Sequence, residues 1–387
     1  MTPSATSEFK NQLFIDLYEG RQPKRIPEKL GLQAAAVLQY CGYELKTAQY
    51  GTTKLIKAVD MMNSEFDTDN ILGSWPATPY WHKILGGITR EMSDTGFIQH
   101  RNVEIMYENE YDQLIADPFK FLWETIYPRV YRELGKPAPY NAIALVKAMK
   151  AQEHVSTITS KAFAEISARH NKVTANLSRY DGTKIPFDYI ADFLRAFTGA
   201  SIDIRRQPDK VMEALEVLTP YFISDKFIKP MDKPDRTKRA MSAPHMGTFL
   251  KPKDFEKFWW PGFKAVMWAR YNAGYHCNIF CEDDWTPYLD YFDELPDGCE
   301  LQFEKGDPKV FKKRLGKKHI ISGFYDCTLL NTSTKQQVVD KAKELMDILA
   351  PGGNFVFNFD KSILVAKGIN WDNFKALINC IHTYGKY

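Results

Sequence analysis

Tyr275-His276-Cys277-Asn278-Ile279-Phe280-Cys281-Glu282-Asp283-Asp284-Trp285 is the stretch that decides the fold. Its first seven residues are mostly apolar, aromatic or sulfur-bearing and read as a strand, and it ends abruptly in three carboxylates. Period-two alternation puts His276, Asn278, Phe280 and Glu282 on one face and Cys277, Ile279 and Cys281 on the other. Outward from it the same unit recurs. Short β-rich runs stand at Ala240–Ala243, Glu300–Phe303, His319–Phe324 and Asn354–Phe359. Helix-like segments separate them at Lys253–Asn272, Thr286–Leu295, Pro308–Leu315, Thr334–Leu349 and Trp371–Tyr384. Strand and helix in steady succession imply a parallel sheet covered by helices, an α/β architecture.

The strand endings choose between α/β folds. Glu282-Asp283-Asp284, Glu304 with Asp307, Asp326 and Asp360 all follow predicted strands. In a (β/α)8 TIM barrel the loops after the strands build the active site. A doubly wound sheet would open with a glycine-rich phosphate turn, and the chain has neither G-x-G-x-x-G nor a P-loop. The expectation is a (β/α)8 TIM barrel with N-terminal helical additions, one domain over 1–387 with a tail and helix in 1–24. Phe9, Leu13, Phe14 and Leu17 lie on one helical face, stopped by Gly20 and Pro23, and Ala142–Asn171 reads as one long helix or a pair.

Composition excludes several functions. The 387 residues carry 51 Lys plus Arg against 48 Asp plus Glu, a net charge of +3, which offers no basic excess for nucleic acid. No run approaches a membrane span, and Met1–Lys10 lacks a basic n-region and an apolar h-region. Six scattered cysteines are not a disulfide framework, so a cytoplasmic protein with reduced thiols is expected. Aromatic residues make up 14% of the chain, enough to ask which rings line a site.

Candidate site residues follow from the strand endings. Glu282, between Phe280 and Trp285, is expected to be partly desolvated and so suited to proton transfer near neutral pH. His245, in the loop Ala243-Pro244-His245-Met246-Gly247, is a candidate acid, base or ligand, or a histidine that only hydrogen-bonds its loop. Asp326 and Asp360 end further strands, and helix capping or ion-pairing with neighbouring barrel layers explains such aspartates at least as well as catalysis does. His276, Cys281 and Glu282 have the chemistry of zinc ligands without a standard spacing, so buried thiols in a strand wall are the plainer reading of the cysteines.

Taken together, several motifs resemble the uroporphyrinogen decarboxylase superfamily. They are Arg25-Ile26-Pro27 after a helix and Gly20, Gln207-Pro208-Asp209-Lys210-Val211 opening a helix, and Phe249-Leu250-Lys251-Pro252 followed by Phe255 and Pro261. Thr286-Pro287-Tyr288-Leu289, Ala350-Pro351-Gly352-Gly353 and the closing Tyr384-Gly385-Lys386-Tyr387 belong to the same pattern. The resemblance implies the TIM barrel, and two departures from the pattern place the chain within it. Decarboxylases carry Gln-Ala-Gly-Arg where this chain has Gln33-Ala34-Ala35-Ala36, so the arginines that would grip porphyrinogen carboxylates are missing. The thiol-activating zinc triad of the coenzyme M methyltransferases would fall on Phe280, Glu282 and the neighbourhood of Gly353, and is absent.

In what remains, the chain resembles the branch of corrinoid-dependent methyltransferases that demethylate methoxylated aromatics such as guaiacol, veratrole or vanillate. By that resemblance a cobalt(I) corrinoid accepts the methyl group while Glu282 or His245 protonates the leaving phenolate and Asp326 or Asn358 orients the ether oxygen. Trp75, Tyr80, Phe280, Trp285 and Phe357 would hold the arene. The chain has no Asp-x-His-x-x-Gly cobalamin motif, so the corrinoid is expected on a separate partner protein. Zinc is a further possible cofactor, on His276, Cys281 and Glu282 if present. Methylamine, methyl halide and methylthiol donors are alternatives, as is a barrel that binds an aromatic or tetrapyrrole without turnover.

Overall fold

A computed structural model describes residues 6–73, 80–173 and 183–387. Trp75 therefore lies outside the described residues. The N-terminal helix, Ser7–Tyr18, starts where Thr6 Oγ1 accepts the Phe9 N–H. A small antiparallel hairpin pairs β1 (Arg90–Met92) with β2 (Ile98–His100). One uninterrupted helix then runs from Tyr140 to Arg169. Among the described residues no helix is long and apolar enough to cross a membrane.

The second half builds a parallel sheet of five strands in chain order: β3 (Arg239–Ser242), β4 (His276–Cys281), β5 (Glu300–Phe303), β6 (Ile320–Gly323) and β7 (Phe355–Val356). The crossovers are helices Trp260–Asn272, Pro308–Leu315 and Lys335–Leu349. Their starts are written in the sequence. Asp307 caps the helix from Pro308, and Thr334 with Gln337 forms a reciprocal capping box. The segment expected as a helix at Thr286–Leu295 is instead a tight 3-10 run, Thr286–Glu294, opened where Asp284 accepts both Thr286 N–H and Oγ1–H.

Register separates the two sheet faces. Cys277, Ile279, Cys281, Leu301, Phe303 and Ile321 are buried in the large core that also holds Phe263, Phe311 and Leu345 of the covering helices. The opposite face carries Met241 beside Asn278, Asn278 beside Glu300, Phe280 beside Gln302, and Gln302 beside Ser322. Helix Ser7–Tyr18 covers the lower part of that face: Phe14, Leu17 and Tyr18 pack with Ile320 and Val356 in a separate apolar cluster. Beside it lies a buried polar layer, in which Glu300 accepts from Tyr18 Oη and Lys29 Nζ, both at 2.8 Å, with Arg239 Nε at 3.7 Å.

Parallel pairing continues beyond the five strands. Lys29 N–H donates to Phe357 O and Gln33 N–H to Ile363 O, with parallel bridges Glu28 to Phe357 and Leu32 to Ile363. Asn70 and Val173 form another parallel bridge, and Asn70 Nδ2 donates to Leu30 O. Three short extended segments from the N-terminal half thus follow β7 in order. Pairing between the last of these and β3 is not seen among the described residues.

Candidate active site

The carboxyl ends of β3 to β7 gather His245, Glu282, Glu304, Asp326 and Asp360 at one edge of the sheet. His245 is held from two directions. Its backbone N–H donates to Asp188 Oδ2 (2.9 Å), and the same carboxylate takes Met246 N–H (3.2 Å) and Trp259 Nε1–H (2.6 Å) on Oδ1. Asp188 is buried, and burial pushes its pKa up to about 6 against the hydrogen bonds it accepts. One helical turn on, Asp192 Oδ2 meets His245 Nδ1 at 2.8 Å. That hydrogen bond, outweighing burial, raises the His245 pKa to about 9, helped by the charges of Asp192, Asp188 and Glu282. The imidazole is therefore a cation at neutral pH. Its side chain is 50% exposed, and Nε2 makes no hydrogen bond among the described residues.

Glu282 is not desolvated as expected, because it stands exposed and its aromatic neighbour turns away. Trp285 is 1% exposed, donates Nε1–H to Glu282 O, and packs against Trp259 and Phe292 with ring centroids 5.6 and 5.5 Å apart. It is a core ring. Phe357 is likewise buried, against Tyr325 and Phe355. Phe280 is half-buried on the face that also carries Gln302, and Tyr80 is half-buried with its ring 6.0 Å from Tyr50. Asn358 is buried with Oδ1 accepting the Phe359 N–H.

Most other carboxylates at this edge are already engaged. Asp326 accepts from Thr328 N–H and Oγ1–H, an Asx-turn ahead of the short helix Leu329–Thr332 rather than a cap on it. Asp360 accepts from Cys327 and Lys361 N–H groups. Glu304 accepts from Lys361 Nζ and from the N–H of Asp283, whose φ of 63° is left-handed, and Lys305 Nζ pairs with Asp283 at 2.6 Å. His245 and Glu282 are left facing the open edge.

The expected zinc ligands do not converge. His276 opens β4 and Cys281 closes it, so strand rise alone separates them by about 17 Å. Burial holds His276 down to about 4, with Arg239 nearby, and pushes the Cys281 thiol well above its usual range. Among the described residues, the side chains that do converge in metal-ligand fashion are Asp326, Cys327 and Asp360 in one place and Glu28, Asp69 and His382 in another.

Sequence reading missed Asp188 and Asp192. Their spacing of four residues on a helical segment puts both carboxylates on one face, a signal that was available. What it could not give was their partner, 57 and 53 residues further along the chain.

Comparison with known proteins bears on the whole arrangement. The chain matches the uroporphyrinogen decarboxylase (URO-D) family over residues 186–384, just over half of its length. No curated protein shows significant sequence similarity to it. Among solved structures it is similar to a methyltransferase from Methanosarcina mazei, with a TM-score of 0.60 at 12% identity, covering 97% of this chain and 98% of that one. At that identity the likeness concerns the fold alone, and it covers the N-terminal half that the family match does not reach. With strand order, edge geometry and the 186–384 match in agreement, this chain belongs to the uroporphyrinogen decarboxylase family.

Proposed function

We propose that this protein transfers a methyl group from a methoxylated aromatic compound to the cobalt(I) of a corrinoid carried by a separate protein, with His245 as proton donor to the departing phenolate. The observation that carries the reading is the His245–Asp192 pair at the carboxyl edge of the sheet, a cationic imidazole with one nitrogen fixed and the other open. The methyl C–O bond breaks as the cobalt electron pair takes the carbon. The C–O pair stays on the aryl oxygen, which receives the proton from Nε2. A phenolate leaves poorly unaided, so positioned protonation of this kind contributes about 100- to 10,000-fold.

The reading includes a single domain whose five parallel strands and three N-terminal extended segments close as an eight-stranded ring, with the mouth at the His245 edge. Exposed apolar side chains near His245 suit a broad macrocycle face: Met241 is 37%, Phe249 60% and Phe197 44% exposed. Phe280 and Tyr80 remain as rings for the arene, and Glu282 supports the charge on His245. Zinc on His276, Cys281 and Glu282 does not fit their placement, so no step is assigned to it.

The test mixes the protein with veratrole and a reduced corrinoid protein and follows the cobalt(I) absorption. Conversion to the methylated spectrum is expected. No change with any methoxyarene would remove this reading.

A further inference from the structure

A cavity of about 300 Å3 opens between the helix Tyr80–Leu85 and the β1–β2 hairpin, and its lining is cationic. Among the described residues Lys83, Arg90 and Arg132 all contribute, against one acid, Glu91. That acid is directed elsewhere, with Oε2 3.5 Å from Arg101 Nε. Lys83 Nζ sits over the Tyr50 ring at 4.5 Å. Among the described residues neither Arg90 nor Arg132 has a carboxylate partner. The third side of the cavity is His82, 5% exposed, whose buried Nδ1 has no hydrogen-bond partner among the described residues. Nδ1 faces Gly87, where any Cβ would lie 2.1 Å away, so only glycine permits this approach. Burial, with the neighbouring Arg90 charge, holds the imidazole pKa down to about 4.

The hairpin that lines the cavity is linked to the proposed reaction centre. Register places Arg90 directly opposite His100, and His100 is within electrostatic reach of both Asp192 and His245. The chain leaving β2 is fastened to the segment that carries Asp192: Ile105 N–H donates to Leu194 O, and Asn102 Oδ1 accepts from Phe197 N–H. Unpaired guanidinium groups in a concave site favour a planar anion that can accept two parallel hydrogen bonds.

We infer that this cavity holds a carboxylate of the methyl donor on Arg90 and Arg132, so that the donor is a methoxylated aromatic acid. The inference rests on the His245 methyl-transfer reading for the word donor, but the anion site itself is tested by binding alone. Calorimetric titration compares 3,4-dimethoxybenzoate, veratrole, unsubstituted benzoate and inorganic phosphate on wild type and on the Arg90→Gln, Arg132→Gln double variant.

In wild type the dimethoxybenzoate binds at least about tenfold more tightly than veratrole, as charge-assisted hydrogen bonds require, and the double variant abolishes that preference while keeping veratrole affinity. If the double variant does not fold, raised salt on wild type must weaken the benzoate and leave veratrole unchanged. Equal affinity of dimethoxybenzoate and veratrole for wild type overturns the inference, as does a preference that survives the double variant. So does phosphate binding more tightly than either benzoate, since the anion recognised is then a phosphate. Benzoate binding lost in the double variant, with no methyl transfer from any arene, keeps the anion site and removes the reaction. Methyl transfer from veratrole without carboxylate preference does the reverse.

Discussion

At the scale of single residues, the His245–Asp192 pair makes a prediction about pH. A histidine whose folded pKa is raised to about 9 stays a proton donor through neutral pH and loses that proton as pH climbs through about 9. Its contribution to stability has the same sign, present in full below the unfolded value of about 6.5 and lost as pH rises through about 9. Methyl transfer should therefore show an alkaline limb near that value. Asp192→Asn removes the largest cause of the shift and should move the limb down toward about 6.5, with a rate near wild type below it. An unchanged limb in a pH–rate profile would take the proton away from this pair. His245→Gln should slow transfer by about 100-fold or more, whereas Glu282→Gln, at an exposed site with no ion-pair partner among the described residues, should cost less than about tenfold. Trp285 belongs to the opposite class of residue. It sits among Phe255, Trp259, Tyr288 and Phe292, so Trp285→Ala should destabilise by about 3–5 kcal/mol in denaturant melts, with no selective loss for aromatic donors.

At the scale of elements, the five strands were legible because each has one face against helices, and period-two burial leaves a readable pattern in Cys277, Ile279 and Cys281. The N-terminal extended segments were not. They pair through isolated bridges at Glu28, Leu32 and Asn70, too short and too rich in polar and proline residues to read as strands. The site divides in the same way. Strand endings pointed to His245 and Glu282, since both follow a β-rich run, while Asp192 belongs to a different element and meets His245 only in the folded chain. Trp285 misled because proximity in sequence to Glu282 says nothing of direction. The buried layer around Glu300 shows what the strands hold beneath the site. Burial opposes its charge, yet Lys29, Arg239 and the Tyr18 hydroxyl keep its pKa below the ordinary value. The stabilisation is thus present above the unfolded pKa of about 4.3 and lost as pH falls through the lower folded value. Glu300→Ala removes the carboxylate that faces buried Arg239 and half-buried Lys29, and should cost about 3–5 kcal/mol by chemical denaturation. A loss below about 1 kcal/mol would mean that water replaces the carboxylate freely.

At the scale of the whole molecule, the two ends of the sheet do different work. The carboxyl edge leaves His245, Glu282 and an apolar rim open, while the amino edge is closed by helix Ser7–Tyr18. Magnitudes decide whether that helix is an ornament or part of the fold. Phe14, Leu17 and Tyr18 are 0, 1 and 4% exposed, and each buried side chain of this size contributes about 1.5–3 kcal/mol. Their sum, about 5–9 kcal/mol as an upper estimate, is comparable to the whole stability of an ordinary domain at about 5–15 kcal/mol. Removing residues 1–19 would also uncover Ile320 and Val356 and take the Tyr18 hydroxyl from Glu300. The truncated chain should therefore lose its cooperative thermal transition or melt at least about 10 °C lower, and amide exchange should accelerate first in β6 and β7. A truncated protein that melts like the full chain, with Ile320 and Val356 still protected, would show that the amino edge is sealed by the charged layer alone.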